Sequence, residues 1–204
     1  MAKCPSCPTA VAAIALIAGV AGVAHASSDA PVVVRVYDSS AGNAKVRAAA
    51  ILTAAAITAE AGFTIEWTDC GPATQASACT GLRGPHDLIV RIMPVSASVP
   101  PGLLLRNQSR APLGFAVVDP VVGAGAIAMV YLDRILPLAK RTRVEPGRLL
   151  GRAIAHEIGH LLIGTTAHSA TGLMREVWTD QELVRNRPGD WVFAPDDRLR
   201  TKRR

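Results

Sequence analysis

The side chains with the most chemistry to offer crowd together late in the chain. Of five histidines, His156, His160 and His168 fall within thirteen residues, and Ala155-His156-Glu157-Ile158-Gly159-His160 spells an H-E-x-x-H motif. On an α-helix four residues turn the chain by about 400°, leaving His156 and His160 about 40° apart on one face, close enough to grip one tetrahedral ion. Glu157 projects about 100° from His156, so it can reach water on that ion without being a ligand. Three neutral nitrogen ligands with a fourth position open is the pattern of a catalytic zinc site; structural zinc is closed by four ligands, often cysteines.

The helix that must carry this pair is legible on both sides of it. Pro146 suits a first turn and Gly164 a C-terminal stop, which predicts a helix over residues 146–163. Leu150, Ile154, Ile158, Leu161 and Leu162 cluster on the side away from the two histidines, so the histidines should face a cleft. Gly164 can adopt the left-handed conformation that turns the chain, bringing His168 back as a third ligand. Glu176, Asp180 and Glu182 are the alternative third ligands. His86 reads as a surface-loop residue. Tyr131 offers a hydroxyl to an oxyanion, although a strand tyrosine more often packs.

After the motif runs HLLIGTTAHSATGLM. The whole segment resembles the metzincin clan of zinc metallopeptidases, and within it the matrixin-like branch, where H-E-x-x-H-x-x-G-x-x-H-S precedes a methionine-bearing turn. The resemblance implies His156, His160 and His168 as zinc ligands, Glu157 as general base, Gly164 as turn glycine, Ser169 as the serine after the third ligand, and Met174 as the floor of the site. The clan has its glycine three and its third histidine six residues after the second histidine; here the intervals are four and eight.

That resemblance further implies an α+β, zincin/metzincin-like domain: a twisted mixed sheet with a backing helix, an active-site helix and a small C-terminal lobe from about residue 165. It implies a zinc-dependent endopeptidase in which Glu157 takes a proton from water and passes it to the leaving amine. The substrate would be a peptide or protein lying along an edge strand of the hairpin at residues 113–132. The alternative is a zinc-binding or interaction module on the same scaffold without significant catalysis. Retention of Glu157 argues against it, because a site kept only for metal needs no base.

The remaining elements must position this segment. A β-branched run at 31–37 predicts a first strand, and an Ala-rich stretch at 43–61, with Val46, Ala50, Ile51, Ala54 and Ile57 at helical spacing and Gly62 as its stop, predicts an amphipathic helix. Residues 63–67, 87–93, 113–118 and 126–132 read as further strands, the last two as a hairpin. Residues 95–112, with three prolines and no periodicity, read as an irregular loop. No repeat and no linker divides the chain, so residues 27–204 are expected to form one domain.

Composition agrees with a folded domain: of 204 residues 50% are apolar, 19% charged and 4% aromatic, with a mean hydropathy of +0.27. Residues 1–26 carry one base (Lys3), no acid, an apolar run from Val11 to Val23 and Ala24-His25-Ala26 before Ser27. This reads as a cleaved export signal, too short to span a bilayer comfortably, so the mature chain is expected to be secreted or periplasmic with no stable membrane anchor. Cys4 and Cys7 leave with it. Cys70 and Cys79 remain, an even count in an oxidising compartment, and a disulfide between them is expected. The charge of +6 sits mainly in Arg198, Arg200, Lys202, Arg203 and Arg204, so the body is neutral and no nucleic-acid partner is expected.

Overall fold

The computed structural model describes residues 31–40, 43–72, 74, 77–81, 84, 86–95 and 112–197. The segment expected to be an export signal (residues 1–26), residues 96–111 and the basic tail at 198–204 lie outside them. The elements run β1 (Val32–Asp38), α1 (Ala44–Glu60), β2 (Ile65–Cys70), a short α2 (Ser77–Thr80), β3 (Asp87–Met93), β4 (Gly114–Asp119), β5 (Ala124–Tyr131), α3 (Leu132–Thr142), α4 (Pro146–Ile163), α5 (Asp180–Arg185) and a 3-10 turn at Pro188–Trp191. They form a five-stranded sheet in the order β2-β1-β3-β5-β4. Neighbours are parallel except β4, which runs antiparallel to β5 and is an edge.

Alternation along the strands decides which face is buried. Val34 and Val36 of β1, Val90 and Ile92 of β3, and Ala128 and Val130 of β5 are all fully buried, forming the core with α1 and α4. The small residues of α1 have a reason. A Cβ on Gly151 of α4 would lie 2.5 Å from the Ala50 carbonyl oxygen and from Thr53 Cβ, so the two helices approach at backbone distance, and larger side chains would part them.

The alternate positions of β1 hold the cysteine loop. Tyr37 donates its hydroxyl to the Cys79 carbonyl (2.9 Å), and Arg35 donates to the Gly81 carbonyl (3.2 Å) and pairs with Asp87 (2.7 Å). Cys70 and Cys79 form the expected disulfide, with Cα atoms 5.5 Å apart. At the ends of β1 and β2, buried Arg47 from the first turn of α1 bridges Asp38 (3.2 Å) and Asp69 (2.7 Å).

Three local features depart from the sequence reading. β2 begins at Ile65, where it pairs with Val32, while Phe63 turns to meet Phe193 edge-on at 5.7 Å. Helix α3 follows β5 directly and buries Leu132, Ile135, Ala139 and Thr142 despite Pro137 in its interior. The segment after residue 165 contains α5, started by a capping box between Thr179 and Glu182. No helix among the described residues is long and apolar enough to cross a membrane.

Candidate metal centre

Helix α4 is fixed at both ends by its own sequence. The Glu145 carboxylate accepts from the Gly147 (2.9 Å) and Arg148 (2.6 Å) amides, and Pro146 fills the first turn. Gly164 stops the helix in the left-handed region at φ 68°, as expected, with its amide on the His160 carbonyl. All residues from 151 to 161 are buried, so the polar face is not solvated: the segment after Gly164 folds back over it.

That return sets the imidazoles. His156 Nδ1 donates to the Leu173 carbonyl (2.9 Å) and His160 Nδ1 to the Thr165 carbonyl (2.8 Å). A carbonyl can only accept, so both rings carry their proton on Nδ1 and point a bare Nε2 inward. Those two Nε2 atoms lie 3.1 Å apart. Two ligands at about 2.0–2.1 Å from a tetrahedral zinc stand about 3.3 Å apart. Two lone pairs held face to face repel each other, and a cation between them turns that repulsion into coordination.

His168 completes the set. It is exposed, its ring 5.3 Å from that of His156 and 4.9 Å from that of His160, and no two of the three ligand atoms are more than 4.8 Å apart. Three neutral imidazoles fit Zn2+. Among the described residues no other group of histidine, cysteine or acid side chains is placed to hold a metal. Glu176 is exposed, Asp180 pairs with Arg141 (2.5 Å), and Glu182 serves the Thr179 cap and Arg175, so the alternative third ligands are elsewhere engaged or turned to solvent. His86 is exposed in the turn before β3, as expected.

The supports named from sequence take their places. Ser169 donates its hydroxyl to Asp197 (2.6 Å) and its amide to the Met174 carbonyl (2.8 Å). Met174 is buried beneath the site, and a Cβ on Gly159 would meet its Sδ at 2.6 Å and Phe193 Cε1 at 2.7 Å. Tyr131 lines the cleft, 5% exposed, beside Phe115 and under the Arg134 guanidinium (4.9 Å).

Burial also sets the charges. Desolvation lowers His156 from 6.5 to about 3 and lowers His160, so both are neutral at pH 7 and available as ligands. It raises Glu157 from 4.5 to about 8. Glu157 packs against β4, where a Cβ on Gly114 would stand 3.0 Å from its Cγ and Oε1.

Sequence reasoning missed Trp178, Asp197, Gly114 and Phe193, which reach the site from distant segments. Only Gly159 left a signal: a glycine in a helix interior costs about 1 kcal/mol relative to alanine, so its presence beside the motif marks close packing.

No family model matches the chain, and a search of curated proteins returned no significant match. Solved structures share its fold, two crystal structures among them. One is a zinc-dependent peptidase from Methanocorpusculum labreanum, with a TM-score of 0.53 at 15% identity over 82% of this chain and 99% of that one. The other is archaemetzincin from Methanopyrus kandleri, with a TM-score of 0.55 at 14% identity over 87% of this chain and 97% of that one.

Proposed function

We propose that the chain is a zinc-dependent endopeptidase of metzincin type, exported through the signal at residues 1–26, with Glu157 as its general base. The observation that carries this reading is the pair of fixed imidazoles, both bare at Nε2, with a third imidazole beside them and a buried carboxyl next in sequence. The two solved structures of the same fold, both described as zinc peptidases or metzincins, support it. The likeness runs to archaemetzincin, so the assignment does not depend on the matrixin-like branch.

Zinc bound by three neutral imidazoles supplies a Lewis acid that activates water and polarises a carbonyl. Glu157 then takes the water's proton and delivers it to the departing amine. A dication held by the three histidines would pull the Glu157 carboxyl back from the raised value that burial gives it, toward the ionised, basic form. Tyr131, whose phenol burial keeps neutral, offers a donor from the cleft wall. Strand β4, which among the described residues has no strand on its outer side, supplies backbone groups for an extended peptide. The cleft holds about 1320 Å³, beyond the roughly 300–1000 Å³ of small-molecule pockets, which suits a polymer.

The test pairs metal content with turnover. Residues 27–204 should contain about one zinc per chain, and Glu157→Ala should keep it while losing at least about 100-fold in peptide hydrolysis. Equal turnover by both proteins would overturn the role of Glu157. Zinc without hydrolysis of any peptide library would leave the non-catalytic module.

A further inference from the structure

We propose that Trp178 is a positioning residue for the metal centre, acting on His156 through the Leu173 carbonyl; this rests on the three-histidine reading above. Trp178 belongs to no motif, yet its Nε1 donates to the Leu173 carbonyl at 3.2 Å, the same oxygen that accepts His156 Nδ1 at 2.9 Å. Leu173 is fully buried and its amide is tied to the Val192 carbonyl at 2.7 Å. Leu173, the residue whose carbonyl orients His156, is therefore anchored at its amide as well as at its oxygen.

The indole is itself wedged in place. Its ring meets His156 edge-on at 5.7 Å and Trp191 edge-on at 5.3 Å. Trp191 lies 4.0 Å under the guanidinium of Arg152, which stands one helical turn before His156 on α4. A carbonyl oxygen has two lone pairs, and occupying both restricts rotation of its peptide plane. Because that oxygen can only accept, it holds the proton of His156 on Nδ1 and leaves Nε2 bare and aimed. Outer partners of this kind are worth about 10–100-fold in metal affinity.

Trp191 provides an internal control. Among the described residues its Nε1 is buried without a hydrogen-bond partner, so Trp191→Phe keeps an aromatic ring against Trp178 and removes an indole N–H that holds none of them, whereas Trp178→Phe removes one that holds Leu173. Zinc dissociation constants, from competition with a chromophoric chelator, should rise about 10–100-fold in Trp178→Phe and stay within about threefold of wild type in Trp191→Phe. The visible spectrum of the Co2+-substituted protein should shift only in the first. Wild-type affinity in Trp178→Phe, or equal weakening in both variants, would overturn the proposal. A second measurement needs no variant: 15N NMR of the metal-free wild type should show His156 protonated at Nδ1, and protonation at Nε2 would overturn it. A wild type that binds no zinc while showing the Nδ1 tautomer would instead overturn the metal-centre reading.

Discussion

Gly159 shows how a single methyl group can decide the geometry of this site. In an ordinary helix interior, alanine in place of glycine gains about 1 kcal/mol. Here the new Cβ would collide with Met174 Sδ and Phe193, and overpacking of a tight core costs about 1–3 kcal/mol. The second effect wins, so Gly159→Ala should unfold at lower urea concentration than wild type and bind zinc more weakly, since the collision lies beneath His156 and His160. An unchanged midpoint would show that Met174 yields. Gly114 is the counterpart across the cleft, where a side chain would press on Glu157.

At the level of elements, much of the scaffold was legible and the exceptions have physical causes. Strand β3 and helix α4 match their predicted bounds because each combines a strong period with a sharp stop, at Pro94 and Gly164. Helix α3 was hidden by Pro137, although Leu132, Ile135, Ala139 and Thr142 keep a helical spacing; tertiary burial of that stripe outweighs the proline. The capping box of α5 was readable as T-x-x-E, but six residues are too few for periodicity to show. Within the site, the motif singled out the three histidines that the fold brings together and the Gly164 turn, whereas Trp178 and Asp197 became visible only when the chain returned upon itself. The Thr179 cap carries a prediction. Thr179→Ala should cost about 0.5–2 kcal/mol in denaturant unfolding and leave the Glu182–Arg175 pair less ordered. The disulfide carries another: closing a loop of nine residues' separation contributes about 2–3 kcal/mol by chain entropy. Reduction should lower stability by that amount without changing zinc content, since Cys70 and Cys79 lie outside the ligand set.

For the whole molecule, burial makes stability depend on pH in two opposed ways when metal is absent. His156, lowered from 6.5 to about 3, contributes stability that is full above about 6.5 and lost as pH falls toward 3. Glu157, raised from 4.5 to about 8, contributes stability that is full below about 4.5 and lost as pH rises through 8. A dication favours neutral imidazoles and an ionised carboxylate; His156, lowered to about 3, is neutral at pH 5 and pH 8 alike, whereas Glu157, raised to about 8, ionises only toward the higher value. The rise in Tm on adding zinc should therefore be larger at pH 8 than at pH 5. At pH 8, free zinc at 100 times Kd should add about 2.7 kcal/mol, or about 5–10 °C in a scanning melt. An equal rise at both values would contradict the buried state of Glu157.

The bond from Ser169 to Asp197 spans 28 positions, and it has a consequence for when the site comes into being. A nascent chain that has emerged through residue 175 already owns all three imidazoles, the carboxylate and the methionine. It still lacks the indoles of Trp178 and Trp191, the ring of Phe193 and the carboxylate of Asp197, which complete the packing around the return segment. Until the last described stretch arrives, the return segment that carries His168 lacks its anchor at Ser169. A metal centre assembled in that order is completed only with the last described residues, and the delay is written into the order of the chain.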